Sequence, residues 1–296
     1  MNSNIYIGTS GWSYPTGFGK WKGIFYPPKW SGDELKYYSD RFNAVEVNSS
    51  FYHTLDIGMT KSWVERTPTD FQFAVKLYNK FTHPTMYLKT QNASPTITQD
   101  DVHIARAPLD ILMENGRFAA LLIQYPEFFQ MNPGNAAILR QTLEQFKAYP
   151  LVVEIRHQSW RVSQTYDLLT HYNATLARID EPYFNNFDEV STGKFEYWRM
   201  HGRNKEQWRA KDAGMSKYDY LYTPDEITEI ADLLGKYGDP QNRRYSFFNN
   251  HPNGKAVVNA VELAYQTDQK IPFSKFSHMA EKYPDLKEIT GAGTLV

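Results

Sequence analysis

Seven stretches of this chain close on polar or charged residues whose types suit anion binding and proton transfer. They end on Glu46 and Asn48, Lys76, Gln124, Glu154 and Arg156, Arg178 and Asp180, Arg199 and His201, and Asn249 with Asn250. Guanidinium forks match carboxylate and phosphate oxygens in pairs, and an ammonium adds a point charge, so Lys76, Arg156 and Arg199 form a candidate anion clamp. Glu46 and Glu154 are the candidate general acid and base, and His201 is the side chain most easily poised near neutral pH. Gln124 and Asn249 are candidate orienting donors. Asn48, Asp180 and the first-loop Trp12 complete the expected substrate-contacting set.

The same residues admit a plainer reading. Buried cations are costly unless paired, so the set can equally be an internal salt-bridge network that holds strand register, with each glutamate paired to Arg156 or Arg199. Metal chemistry is less well served, because hydrolytic metal sites gather several histidines with carboxylates and only His201 ends a strand-like run; His53 and His83 fall in loops. No metal ligand is assigned and no cofactor is expected, although one Mg²⁺ held by Glu46, Glu154 or Asp180 with substrate oxygens is an arrangement these residues allow. The phosphate-binding glycine motif, the Gly-x-Ser-x-Gly elbow and the His-Glu-x-x-His helix are all missing.

The elements that must position these groups are short apolar or β-branched runs. There are eight: 5–9, 44–48, 71–76, 118–124, 151–156, 174–180, 195–201 and 245–249. Between them lie amphipathic stretches over 33–42, 59–66, 99–115, 136–149, 164–172, 224–237 and 255–266. Thr223-Pro224-Asp225-Glu226 is a helix start with its cap, first-turn proline and acids in order. Strand alternating with helix eight times predicts a single (β/α)₈ barrel, with polar residues gathered at the C-terminal strand ends and apolar layers below. The weak element is the sixth crossover, 181–194, which carries Pro182, Gly193 and little helical periodicity. Three connections are long enough to suggest function: 10–32, rich in aromatics, the one around Thr82-His83-Pro84, and 202–222. Trp21 is expected to cap the fold and Trp12 to face the pocket.

The 296 residues carry 41% hydrophobic and 22% charged side chains with no linker-like tract, so one domain over 1–296 is expected, with 268–296 as its C-terminal extension. A formal charge of −1 removes any global pull toward nucleic acid or anionic membrane. The absence of cysteine excludes disulfides, zinc–thiolate sites and thiol nucleophiles. With no signal-like or membrane-spanning stretch, a cytoplasmic protein without membrane contact is expected.

The motifs also carry a resemblance. Ile7-Gly8-Thr9-Ser10-Gly11-Trp12-Ser13-Tyr14, Trp21-Lys22-Gly23-Ile24-Phe25-Tyr26-Pro27 and Val45-Glu46-Val47-Asn48-Ser49-Ser50-Phe51-Tyr52 occur in order. Leu122-Ile123-Gln124-Tyr125-Pro126, Val153-Glu154-Ile155-Arg156-His157, Arg199-Met200-His201-Gly202 and Phe248-Asn249-Asn250 follow. Together they resemble the YecE-like family, a domain of unknown function. The resemblance implies a TIM-barrel fold and leaves activity open. Departures are Ser50 where threonine is common, Tyr125 in a usually apolar slot, and His251 where an acid often follows the paired asparagines. The leading expectation is an enzyme, a hydrolase or an isomerase or lyase, acting by acid/base chemistry on a small anionic ligand such as a sugar phosphate or nucleotide-like compound. The alternatives are a non-catalytic module binding nucleic acid or a metabolite through the same cationic pocket, and a structural partner protein.

Overall fold

The computed structural model describes residues 4–237 and 240–291. Strands and helices alternate from the start: β1 (Ile5–Thr9), α1 (Glu34–Ser39), β2 (Ala44–Val47), α2 (Ile57–Arg66) and β3 (Gln72–Lys76). The chain continues through α3 (Asn79–Thr82), α4 (Pro84–Gln91), α5 (Gln99–Glu114), β4 (Phe118–Gln124), α6 (Pro133–Phe146), β5 (Leu151–Glu154) and α7 (Ser163–His171). Then come β6 (Thr175–Leu176), β7 (Arg178–Glu181), β8 (Phe184–Asn185), β9 (Glu196–Met200), α8 (Lys205–Trp208), α9 (Pro224–Lys236), β10 (Arg244–Phe248), α10 (Lys255–Gln266) and α11 (Leu286–Thr290). The starts are chemically specified. At α9 the Thr223 hydroxyl accepts from the Glu226 N–H and the Glu226 carboxylate accepts from the Thr223 N–H, and Thr98 with Asp101 repeats the arrangement at α5.

The expected single closed barrel of eight parallel strands is corrected on strand number and pairing. Among the described residues, ten strands form two five-stranded sheets, in the orders β1-β10-β9-β7-β8 and β2-β3-β4-β5-β6. The run 174–180 does not stay one strand: it breaks at Ala177 into β6 and β7, and the sixth crossover holds the short strand β8, antiparallel to β7, in place of a helix. The ladders β1–β10, β3–β4, β4–β5 and β5–β6 are parallel, as the helical crossovers require.

The chain divides into two compact units. The first comprises Met1–Val45, Ile179–Phe187 and Trp198–Val296; the second comprises Glu46–Arg178 and Asp188–Tyr197. In the first, β1 pairs with β10 along one edge, and its other edge is satisfied by side chains. The Ile7 N–H donates to Asn43 Oδ1 at 2.9 Å, Asn43 Nδ2 donates to the Ile5 carbonyl at 3.2 Å, and the Thr9 N–H donates to Tyr38 Oη at 2.8 Å. Tyr38 Oη in turn reaches the Ala44 carbonyl at 3.2 Å. Gly8 permits this approach, since a Cβ there would lie 2.0 Å from the Ala44 oxygen. Gly8→Ala is expected to cost about 1–3 kcal/mol through overpacking, read as a lower thermal midpoint.

The long loop after β1 is an aromatic core. Trp21, Phe25, Tyr26 and Tyr38 are fully buried, with Phe25 edge-on to Trp21 and Tyr37. Trp21 is therefore a core residue of this unit. The segment after Asp268 packs back onto the same cluster through Phe276, whose ring lies 5.3 Å from that of Phe42. In the second unit, β4 and β5 are buried along nearly their whole length, and Trp63 stacks on Phe73 at 5.5 Å. Among the described residues, no helix is long and apolar enough to cross a membrane.

Candidate functional site

In the second unit the ends of β3, β4 and β5 bring several of the expected residues together. Gln124 and Glu154 are register partners across β4 and β5. Glu154 is completely buried, and its Oε1 accepts from Arg156 Nε at 2.7 Å and Nη2 at 2.6 Å. Arg156 Nη1 also lies 3.7 Å from Glu127, whose side chain is 59% exposed, so that second pairing is screened by water. Lys76 ends β3 with its ammonium 3.9 Å above the ring of Phe51. A 3₁₀ turn over Ser49–Phe51 places that ring, and it is tied to β3 by Ser50, whose hydroxyl bonds the carbonyls of Lys76 and Val47 at 2.6 and 2.8 Å.

The group gains a member that strand periodicity did not select. The single helical turn α3 carries the chain back so that His83 meets Phe51 edge-on, with centroids 4.9 Å apart and planes at 89°. Its Nδ1 shares a 2.8 Å hydrogen bond with the Thr82 hydroxyl. Burial pushes the imidazole down to about 4, the charges of Lys76 and then Arg156 push the same way, and Glu154 opposes them. A neutral imidazole therefore faces two fixed cations at neutral pH. His83 Nε2 has no hydrogen-bond partner among the described residues.

The other expected residues of this unit have partners of their own or head the same turn. Glu46 is completely buried and its Oε2 accepts from the Tyr197 hydroxyl at 2.8 Å. Asn48 leads the 3₁₀ turn, and its Oδ1 is buried without a hydrogen-bond partner among the described residues. Arg178 is taken up structurally: Nε meets Glu196 Oε2 at 2.8 Å, Nη1 the Glu189 carbonyl at 2.8 Å, and Nη2 the Ser191 hydroxyl at 3.1 Å.

In the first unit a separate chain of polar contacts runs Arg199–His201–Asn249. Arg199 Nη1 lies 3.3 Å from His201 Nε2, and the Asn249 amide lies 2.9 Å from Nδ1. The atom of Asn249 that faces Nδ1 is its Nδ2. Asp180 accepts from Arg203 Nε at 2.7 Å and Asn185 Nδ2 at 3.1 Å, and Arg203 extends to Glu226 at 3.0 Å. Asn250 donates to the Tyr220 carbonyl and to Asn259 Oδ1, each at 2.8 Å. The Trp12 carbonyl accepts from the Tyr26 hydroxyl. His251 was also passed over by periodicity: it stacks on Tyr14 at 4.5 Å with planes 12° apart, and burial pushes its imidazole down to about 4. Among the described residues, no group of three or more His, Asp or Glu could hold a metal ion.

Known proteins add a family without adding an activity. The chain is 27% identical over 300 residues to the UPF0759 protein YunF of Bacillus subtilis, covering 95% of this chain and 99% of that one. The crystal structure of a DUF72 family protein from Thermotoga maritima superposes with a TM-score of 0.74 at 29% identity, over 90% of this chain and 99% of that chain. One from Enterococcus faecalis superposes at 0.75 with 22% identity, over 90% and 96%, a likeness of fold alone. The family model for the protein of unknown function DUF72, a family also called YecE, matches residues 6–281, and the chain belongs to that family.

Proposed function

We propose that the protein is an enzyme that binds a small anion at the ends of β3 and β5 and moves a proton there. The observation that carries this reading is the convergence of Lys76, Arg156 and His83 from three separate chain segments. Burial is the main cause that keeps His83 neutral, and the charges of Lys76 and Arg156, which push the same way, are the ones an anion would meet. Arg156 supplies a planar fork oriented by Glu154, Lys76 supplies a point charge fixed over Phe51, and neutral His83 supplies a proton acceptor. This division gives Glu154 an orienting role and makes His83 the proton carrier. The fitting substrates are small phosphorylated or carboxylated molecules, sugar phosphates and nucleotide-like compounds among them.

Isothermal titration with inorganic phosphate checks the reading. Lys76→Met is expected to weaken binding about tenfold while leaving the thermal midpoint unchanged, because it removes one charge-assisted contact and keeps the stem over Phe51. No phosphate binding by the wild-type protein, or equal binding by the variant, would overturn it. An oligonucleotide titrated in parallel separates the nucleic-acid alternative, which requires affinity to fall steeply between about 50 and 200 mM salt.

A further inference from the structure

A groove between α6 and α7 of the second unit shares no residue with the ends of β3 and β5. It encloses about 550 Å³, within the range of sites that hold a small molecule. On α6 its wall is a helix stripe: Pro133, Ala136, Ala137, Arg140 and Glu144 recur three and four positions apart and span about 16 Å of one face. The two adjacent alanines leave room that longer side chains would fill. Thr165 and Leu168 of α7 line the same groove, as does Trp160 from the 3₁₀ turn before that helix. Trp160 is held in place, its ring parallel to that of Phe129 at 5.2 Å and its Nε1 donating to the Phe129 carbonyl at 2.7 Å. The wall is therefore preformed and mainly apolar.

Two polar groups in this wall lack partners. Thr165 is 2% exposed and its hydroxyl makes no hydrogen bond among the described residues, a costly state that an acceptor would relieve. Arg140 is exposed, and among the described residues no carboxylate pairs with it. Glu144, one turn further along α6, is engaged instead by Lys147 and by the Tyr172 hydroxyl at 3.1 Å. Both unmet groups are donors and one is a cation, so the groove lacks a negatively charged acceptor. We propose that it binds a small amphiphilic carboxylate, with the apolar body along Ala136, Ala137, Leu168 and Trp160 and the carboxylate on Arg140. A guanidinium fork matches the two oxygens of a carboxylate, and a single cation suits a monoanion. The apolar wall separates such a ligand from inorganic phosphate, which has no apolar surface to bury there.

Isothermal titration with 4-phenylbutyrate and with its uncharged counterpart 4-phenylbutanol tests this. The wild-type protein is expected to bind the acid with a Kd of about 1 mM or below, and the alcohol about tenfold more weakly. Arg140→Met is expected to bind the two equally, and Ala137→Trp, which fills the groove, to bind neither. Both positions are exposed, so the thermal midpoints of the free variants should match the wild type. Lys76→Met is expected to leave 4-phenylbutyrate binding unchanged, which sets the groove apart from the anion site at the ends of β3 and β5. No binding by the wild type, binding that survives Ala137→Trp, a preference for the acid that survives Arg140→Met, or a loss in Lys76→Met would overturn the inference. Wild-type self-association that Ala137→Trp abolishes would assign the groove to a second copy of the chain and overturn it as well.

Discussion

Arg178→Met is expected to destabilise the fold by about 3–5 kcal/mol, read as a lower urea midpoint with an unchanged denaturant slope. Its side chain is 3% exposed and that of Glu196 is 4% exposed, so removing the guanidinium strands a carboxylate in a dry interior. The Glu189 carbonyl loses a donor at the same time, and Ser191, which also donates to Glu196, loses its own. Arg178→Met with Glu196→Leu is expected to recover most of the loss, because two apolar side chains leave no unpaired charge. Phosphate affinity at Lys76 should be unaffected in the double variant. A single variant costing under about 1 kcal/mol would show that the pair is hydrated in solution.

Glu262→Gln is expected to act in the opposite direction and only above mildly acidic pH. Glu262 lies on α10 at 6% exposure, with Asn259 Nδ2 donating to its Oε2 at 2.7 Å. Burial pushes this carboxyl up from 4.5 to about 7, Asn259 opposes the shift, and Asp285 adds to it. A carboxyl raised on folding contributes stability that is complete below its unfolded value and lost as pH climbs through its folded value. The wild type should therefore lose up to about 3 kcal/mol from this group between about pH 4.5 and 8. The glutamine variant carries no such loss. Urea unfolding at pH 5 and pH 8 should show the two proteins nearly equal at the lower pH and the variant clearly more stable at the higher. An equal gap at both would mean that Glu262 ionises normally in the fold.

Much of the secondary structure could be read directly. α10 starts and stops where its apolar periodicity does, β4 coincides with its run, and α9 begins at the cap that Thr223 and Glu226 form. The strand-end residues Lys76, Glu154 and Arg156 are near one another because parallel strands deliver their ends to one side. His83 was marked only by the length of its connection and set aside as a loop residue, because counting along strands says nothing about a residue seven positions past a strand. The four-residue turn α3 that returns it is too short to show a period. Arg178 was placed with the strand-end cations, yet a break at Ala177 starts a new strand there and turns its guanidinium to Glu196. The barrel prediction treated each run as one strand, with the sixth crossover marked as poor in helical periodicity. It could not see that Asn43 and Tyr38 would occupy the backbone groups on the outer edge of β1.

That edge has a consequence for how the interior is kept dry. Backbone N–H and C=O groups away from water need partners, and a neighbouring strand ordinarily supplies them. On β1 the Ile7 and Thr9 N–H groups and the Ile5 carbonyl are engaged instead by amide and phenol side chains of the same chain. Ile7, Thr9 and Tyr38 are buried, so each backbone group left without its partner would cost about 1–3 kcal/mol. Two polar side chains thus do for this side of β1 what the rungs of a ladder do elsewhere.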